Sequence, residues 1–80
     1  MSAVSPIQIR DLMETIPSWA RMLPNMADNT LFSETGMDSL ALLELVSEIQ
    51  NRYGVEISDD DVQHISTIAD IARYLCDRMQ

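Results

Sequence analysis

Lysine is absent from this chain of 80 residues, glycine occurs twice, proline three times, and cysteine and histidine once each. Each scarcity excludes something. With five arginines facing thirteen acids, the formal net charge is −8. That is the wrong sign for phosphate backbones or anionic lipid, so nucleic acid and membrane surfaces are poor partners. Basic protein surfaces are better ones, because the charge steers encounter more than it sets final affinity. A single cysteine, Cys76, allows no internal disulfide and no zinc cluster. It reads as a small residue near the end of the last helix. No apolar stretch approaches the ~20 residues that span a bilayer, and the N-terminus lacks a basic, apolar secretory signal. A cytoplasmic location is therefore expected. Strand alternation, internal repeats and a second domain are also missing, so residues 1–80 read as one small domain. Its core is modest, and short of what usually holds a buried polar active site.

What is present centres on Gly36-Met37-Asp38-Ser39-Leu40 and the periodic run that follows to Tyr53. Gly36 suits a positive φ, Asp38 is a good N-cap, and Ser39 falls at the helix start. At about 100° per residue, Leu42, Leu45, Val46, Ile49 and Tyr53 share one face, which is core. Leu40, Leu43 and Ser47 line an adjacent stripe flanked by Glu44 and Glu48. An apolar pair on an exposed, acid-edged face points to a docking surface. Partial burial against neighbouring loops is the plainer account of the two leucines. A serine at a helix start is ordinarily a cap, but Asp38 already supplies that, which leaves Ser39 to face solvent. No base is arranged beside it, His64 being the one histidine, so Ser39 reads as an anchor and not as a nucleophile that turns over.

The remaining segments read as helices around this one. Ser5-Pro6-Ile7-Gln8 is a helix start, with Ser5 as N-cap, Pro6 at the first position and Gln8 completing a capping box. Ile9, Leu12, Met13, Ile16, Trp19 or Ala20, and Leu23 repeat at helical spacing. Pro17 interrupts them, and a mid-helix proline costs ~3 kcal/mol or more, so the helix is expected to kink or restart there. Trp19 is either an exposed recognition residue or a cover for the end of the core; the second is favoured, since amphipathic aromatics usually do this. Pro24, Asn25, Asp28 and Asn29 mark a loop, which Leu31 and Phe32 are expected to pin to the bundle.

Tyr53-Gly54 ends the long helix, and Val55 and Ile57 tuck a short loop inward. Ser58-Asp59-Asp60-Asp61 caps a short third helix with acids at the positive end of its dipole. Calcium binding is the alternative for this run, but the spaced ligands, central glycine and terminal glutamate of a calcium loop are missing. Val62 and Ile65 point to the core from that helix. Thr67-Ile68-Ala69-Asp70 starts a last helix in which Ile65, Ile68, Ala69, Ala72, Leu75 and Met79 continue the spacing, with Arg73 and Arg78 late in it. The expected fold is all-α, a bundle of four helices with a short third.

The residues Gly36-Met37-Asp38-Ser39-Leu40, with Phe32 four places ahead, resemble the modification motif of the acyl carrier proteins. Glu44-Leu45-Val46, Tyr53-Gly54-Val55-Glu56-Ile57 and Thr67-Ile68-Ala69-Asp70 through Leu75 also resemble carrier segments in the expected order, so the likeness runs from about Leu31 to Leu75. It implies a four-helix bundle of acyl-carrier type, with a carrier-like core over about residues 6–78. It further implies a covalent 4′-phosphopantetheine on Ser39, added from coenzyme A by a phosphopantetheinyl transferase. The carrier itself is then no enzyme. It is expected to be a monomer that holds acyl groups as thioesters and shows them to an acyltransferase or ligase, a ketosynthase and other assembly-line enzymes, with Asp38, Leu40, Leu43, Glu44 and Ser47 as the docking residues.

The chain departs from the family in three places. Its first helix is usually uninterrupted. Thr35 stands where leucine is more common, which is expected to weaken one packing contact of the loop. Ser58 often is proline, and a serine caps as well. His64 lies where partners and arm meet in this family; an ordinary surface histidine is the plainer reading. The helix after Ser39 is less acid-dense than in fatty-acid carriers, which tilts the expectation to a discrete polyketide-type carrier. An aminoacyl or peptidyl carrier is the nearer alternative, although Gly36-Met37 replaces the paired glycines common there. A protein-interaction domain that keeps the carrier shape without modification is the other.

Overall fold

Proline opens the helices at the N-terminal end of the chain and glycine closes the turns around its long central one. The computed structural model describes residues 4–78, in which five α segments and two 3-10 turns appear and no strand. Helix α1 runs Pro6–Met13, with Pro6 at its first position and the Ser5 amide donating to Gln8 Oε1 at 2.8 Å. It buries Ile9, Leu12 and Met13. Three turn bonds then close the helix, from the amides of Glu14, Thr15 and Ile16 to the carbonyls of Arg10, Leu12 and Met13.

Ile16 is extended, at φ −105° and ψ 109°, the conformation favoured before proline, and α2 restarts at Pro17–Ala20. Pro17 thus occupies a first helical position, where its missing N–H would have had no partner. The expected break is a restart. Its product is the placement of Trp19, fully buried, whose indole Nε1 donates to the Ala41 carbonyl at 2.9 Å. The ring meets Phe32 edge-on at 5.2 Å between centroids. Trp19 closes the end of the core.

A long connection follows, with a 3-10 turn at Leu23–Asn25 and a second at Phe32–Thr35. Arg10 ties it down: Nε pairs with Asp28 Oδ1 at 2.8 Å, and the guanidinium also donates to the carbonyls of Leu23 and Met26. At its far end the Phe32 amide donates to Ser66 O at 2.8 Å, and the Ala69 amide to Asp28 O at 2.9 Å. Phe32 is buried. Leu31 is not: at 42% exposed it pins nothing, contrary to expectation. Its backbone is extended, so successive side chains point oppositely, and the one that enters the core is Phe32.

Helix α3, Ser39–Tyr53, buries Leu45, Val46 and Ile49, with Leu42 and Tyr53 half-buried against the same core. Gly54 ends it at φ 66°, its amide donating to Gln50 O at 2.9 Å. Gln50 Oε1 accepts from the Ile57 amide at 2.8 Å and Ile57 turns inward; Val55 is half-buried beside the core. Helix α4, Asp59–Gln63, is capped by Ser58 Oγ, which accepts from the Asp61 amide at 3.2 Å. It buries no residue of its own. Val62 is only half-buried, and Ile65, which is buried, lies beyond the helix end.

Helix α5, Ile68–Arg78, starts on a reciprocal cap in which Thr67 Oγ1 accepts from the Asp70 amide and Asp70 Oδ2 from the Ser66 amide, each at 3.0 Å. Its buried side is Ile68, Ile71, Ala72 and Leu75. Ile71, 1% exposed, takes the core place expected of Ala69. The expected series was registered on Ile65, which precedes the helix; counted from Ile68 the i, i+3, i+4, i+7 rule selects Ile71 directly. Met79 lies outside the described residues. Cys76 is half-buried, and its Sγ lies 3.2 Å from both the amide and the carbonyl of buried Val4. With α1 and α2 taken as one interrupted helix, α1/α2, α3, α4 and α5 are the four expected, α4 the short one. No helix among the described residues is long and apolar enough to cross a membrane.

Candidate functional site

The segment Gly36–Leu40 emerges between the buried Phe32 and the first turn of α3. Gly36 sits at φ 79°, a left-handed conformation that side chains resist; nothing lies within 4 Å of where a Cβ would stand, so the demand is conformational and not steric. Thr35 stitches this loop through its hydroxyl. Its Oγ1 donates to Phe32 O at 2.6 Å and accepts from the Met37 amide at 3.3 Å.

Asp38 is extended and caps α3, its Oδ1 accepting from the Ala41 amide at 3.0 Å. Ser39 is the first residue of the helix and is exposed. Its hydroxyl is hydrogen-bonded to none of the described residues, the cap being the residue before it. The positive end of the α3 dipole therefore lies beside a hydroxyl that caps nothing, next to the carboxylate that does.

Along α3 from Ser39, Leu40 is 75% and Leu43 50% exposed, and Glu44, Ser47 and Glu48 are exposed with them. The two stripes of the helix separate as their spacing demands. Helix α2 reaches this face too: Ser18 Oγ lies 3.3 Å from Glu44 Oε1. Ser18 could not have been found from the sequence, because its partner lies 26 residues away.

A groove of about 500 Å³ opens beside Ser39. Trp19, Leu31, Phe32, Met37, Leu42, Val62 and Ile65 supply its apolar lining, and Asp38, Ser39, Gln63 and Ser66 are among its polar groups. Leu31, outside the core, thus belongs to the site. His64, at the end of α4, is exposed and does not line the groove.

The α4 wall is tethered through one carboxylate oxygen. Asp61 Oδ2 accepts from Tyr74 Oη at 2.7 Å and from Arg78 Nη2 at 2.8 Å, with the guanidinium 5.1 Å from the Tyr74 ring centroid. The Tyr74 hydrogen bond, reinforced by Arg78 and Ser58 against a smaller cost of burial, holds the Asp61 carboxyl below its ordinary value. Burial first, and then the bond to Asp61, push the Tyr74 phenol up. Of the acidic run, Asp61 is therefore already committed to its neighbours on α5.

Sequence comparison agrees with this arrangement. Residues 8–75 match the family described as phosphopantetheine attachment site, which is most of the chain. The chain belongs to that family, and its matched region is a carrier that bears phosphopantetheine. Among individual relatives, an acyl carrier protein of Chloroherpeton thalassium is 33% identical over 51 residues, 64% of each chain. An acyl carrier protein of Thermotoga maritima is 40% identical over 45 residues, 56% of each. The non-reducing polyketide synthase stbA of Stachybotrys bisbyi is 32% identical over 74 residues, 91% of this chain and 3% of that protein. The matches thus span less than two thirds of each of these relatives. No solved structure matches.

Proposed function

We propose that Ser39 is the attachment point of 4′-phosphopantetheine and that the chain carries acyl intermediates for polyketide or fatty-acid type biosynthesis. The observation that supports this best is an exposed hydroxyl at the first position of α3 that caps nothing, because Asp38 does the capping. Bound there, the group would supply a terminal thiol that holds acyl chains as thioesters activated for transfer or condensation. The protein's own contribution is position. Gly36 turns the chain so that Ser39 stands clear of the core, and a phosphodiester on its oxygen would meet the positive end of a 15-residue helix.

Asp38, Leu40, Leu43, Glu44 and Ser47 form the surface that a phosphopantetheinyl transferase and the acyl-handling enzymes would engage. Two exposed leucines provide apolar anchors, and the acids around them favour basic partners. The likeness of most of this chain to a stretch of a polyketide synthase favours polyketide cargo.

Incubation with a broad-specificity transferase, coenzyme A and magnesium tests the assignment by intact mass. The chain should gain one phosphopantetheine, and Ser39→Ala none. Labelling that survives Ser39→Ala, or a second modified serine, would overturn it. Parallel loading with acyl and amino-acid activating enzymes should give the acyl product. Ser39→Ala should change stability by less than ~1 kcal/mol, since the cap is intact.

A further inference from the structure

We propose that Thr35 is a positioning residue for the modification of Ser39: its hydroxyl holds the Gly36–Asp38 segment in the conformation that presents the serine. This rests on the reading of Ser39 as the attachment point.

The segment has a firm anchor at each end. Phe32 is buried, packs edge-on against Trp19 and donates its amide to Ser66 O. Asp38 caps α3. Between them the chain reverses through Gly36, where nothing lies within 4 Å of the place a Cβ would take, so no contact at the glycine itself fixes the turn; Met37, next along, is partly buried against the core.

The tie that crosses the turn is the Thr35 hydroxyl. A threonine hydroxyl has one proton and two lone pairs. A carbonyl can only accept, so the proton goes to Phe32 O at 2.6 Å, and a lone pair receives the Met37 N–H at 3.3 Å. Among the described residues this is the one hydrogen bond of the Met37 amide. A single side chain thereby links the anchored residue to the one that immediately precedes the cap. Without it, the amide of Met37 turns to water, and Gly36 is free to sample the wide range of φ open to glycine. The transferase would then have to order this segment when it binds, and the cost would appear in the rate of modification.

Threonine to valine keeps the shape and removes both bonds; threonine to serine keeps both bonds and removes a methyl. With wild-type, Thr35→Val and Thr35→Ser full-length chains, the rate of phosphopantetheine transfer from coenzyme A is followed by intact mass, with amide hydrogen exchange measured on the unmodified proteins. For Thr35→Val, kcat/KM should fall about five- to tenfold, the worth of one net hydrogen bond, and for Thr35→Ser it should stay within about twofold of wild type. The Met37 amide should exchange faster in Thr35→Val, with the amides of Val46, Ile49 and Ile71 unchanged.

Wild-type rates in Thr35→Val, or no rescue by serine, would overturn the proposal. So would faster exchange throughout α3 and α5, because Thr35 would then be a stabilising residue and not a positioning one. If the wild-type chain gains no phosphopantetheine, the reading of Ser39 fails instead, and the exchange of Met37 still decides whether the hydroxyl holds the turn.

Discussion

Leu43 and Leu45 stand two positions apart on α3 and have opposite fates. Leu45 is fully buried with Ile49, while Leu43 is half exposed beside Leu40. Leu45→Ala and Ile49→Ala remove methyl groups from a close-packed interior and should each cost roughly 2–5 kcal/mol, a large part of the stability of a domain this size. Leu43→Glu removes little burial and should leave the melting temperature nearly unchanged while it slows modification of Ser39. Thermal melts set beside transfer rates measure both. If Leu43→Glu unfolds the chain as badly as Leu45→Ala, the second stripe is core and the docking surface is lost. The two stripes were readable because helical periodicity assigns faces from spacing alone. The exposure of Leu31 was not, since it depends on which of two adjacent residues the core has room to accept.

At the scale of elements, the interruption at Pro17 is built into the packing. Three turn bonds close α1 before the proline is reached, and Pro17 begins α2 at a position that needs no donor. Pro17→Ala should therefore leave helicity by circular dichroism about unchanged. The added freedom of the unfolded chain should lower stability by ~0.4–1 kcal/mol in denaturant titrations. A clear gain in helicity would mean that α1 and α2 fuse when allowed to, and that the restart does not serve Trp19. The sequence located the break because proline's constraint is local. What the break accomplishes, the delivery of an indole N–H to Ala41 O, spans 22 residues and has no local signature.

For the whole molecule, the joining of α4 to α5 has a pH signature. The Tyr74 hydrogen bond and Arg78 depress the Asp61 carboxyl, so its contribution to stability is complete above the ordinary aspartate range, near about 3.9. It is lost as pH falls through the depressed folded value. Tyr74 has the opposite sign, its phenol being raised: its contribution is present below the ordinary tyrosine value and lost as pH rises through the folded one. Asp61→Asn should thus be less stable than wild type near neutrality, with the gap narrowing in acid below the ordinary aspartate range. Denaturant titrations across pH would show this; a gap that does not change with pH would mean that Asp61 contributes through its shape alone.

The residues whose roles depend on near neighbours could be read directly from the chain. The cap at Asp38, the left-handed Gly36 and Gly54, the reciprocal start of α5 and the exposed Ser39 all follow from groups three or four residues apart or from the conformational limits of single residues. Helix faces follow too, once the register is known, and the error on the last helix, Ala69 for Ile71, came from counting from a residue before the helix. Only the tertiary structure could decide which distant groups meet: Arg10 with the loop at Asp28, Trp19 with Ala41, Asp61 with Tyr74 and Arg78, Ser18 with Glu44. Many partners of suitable chemistry exist for each of these groups along the chain. The choice among them is made by how the helices pack, and that geometry is a property of all the elements together.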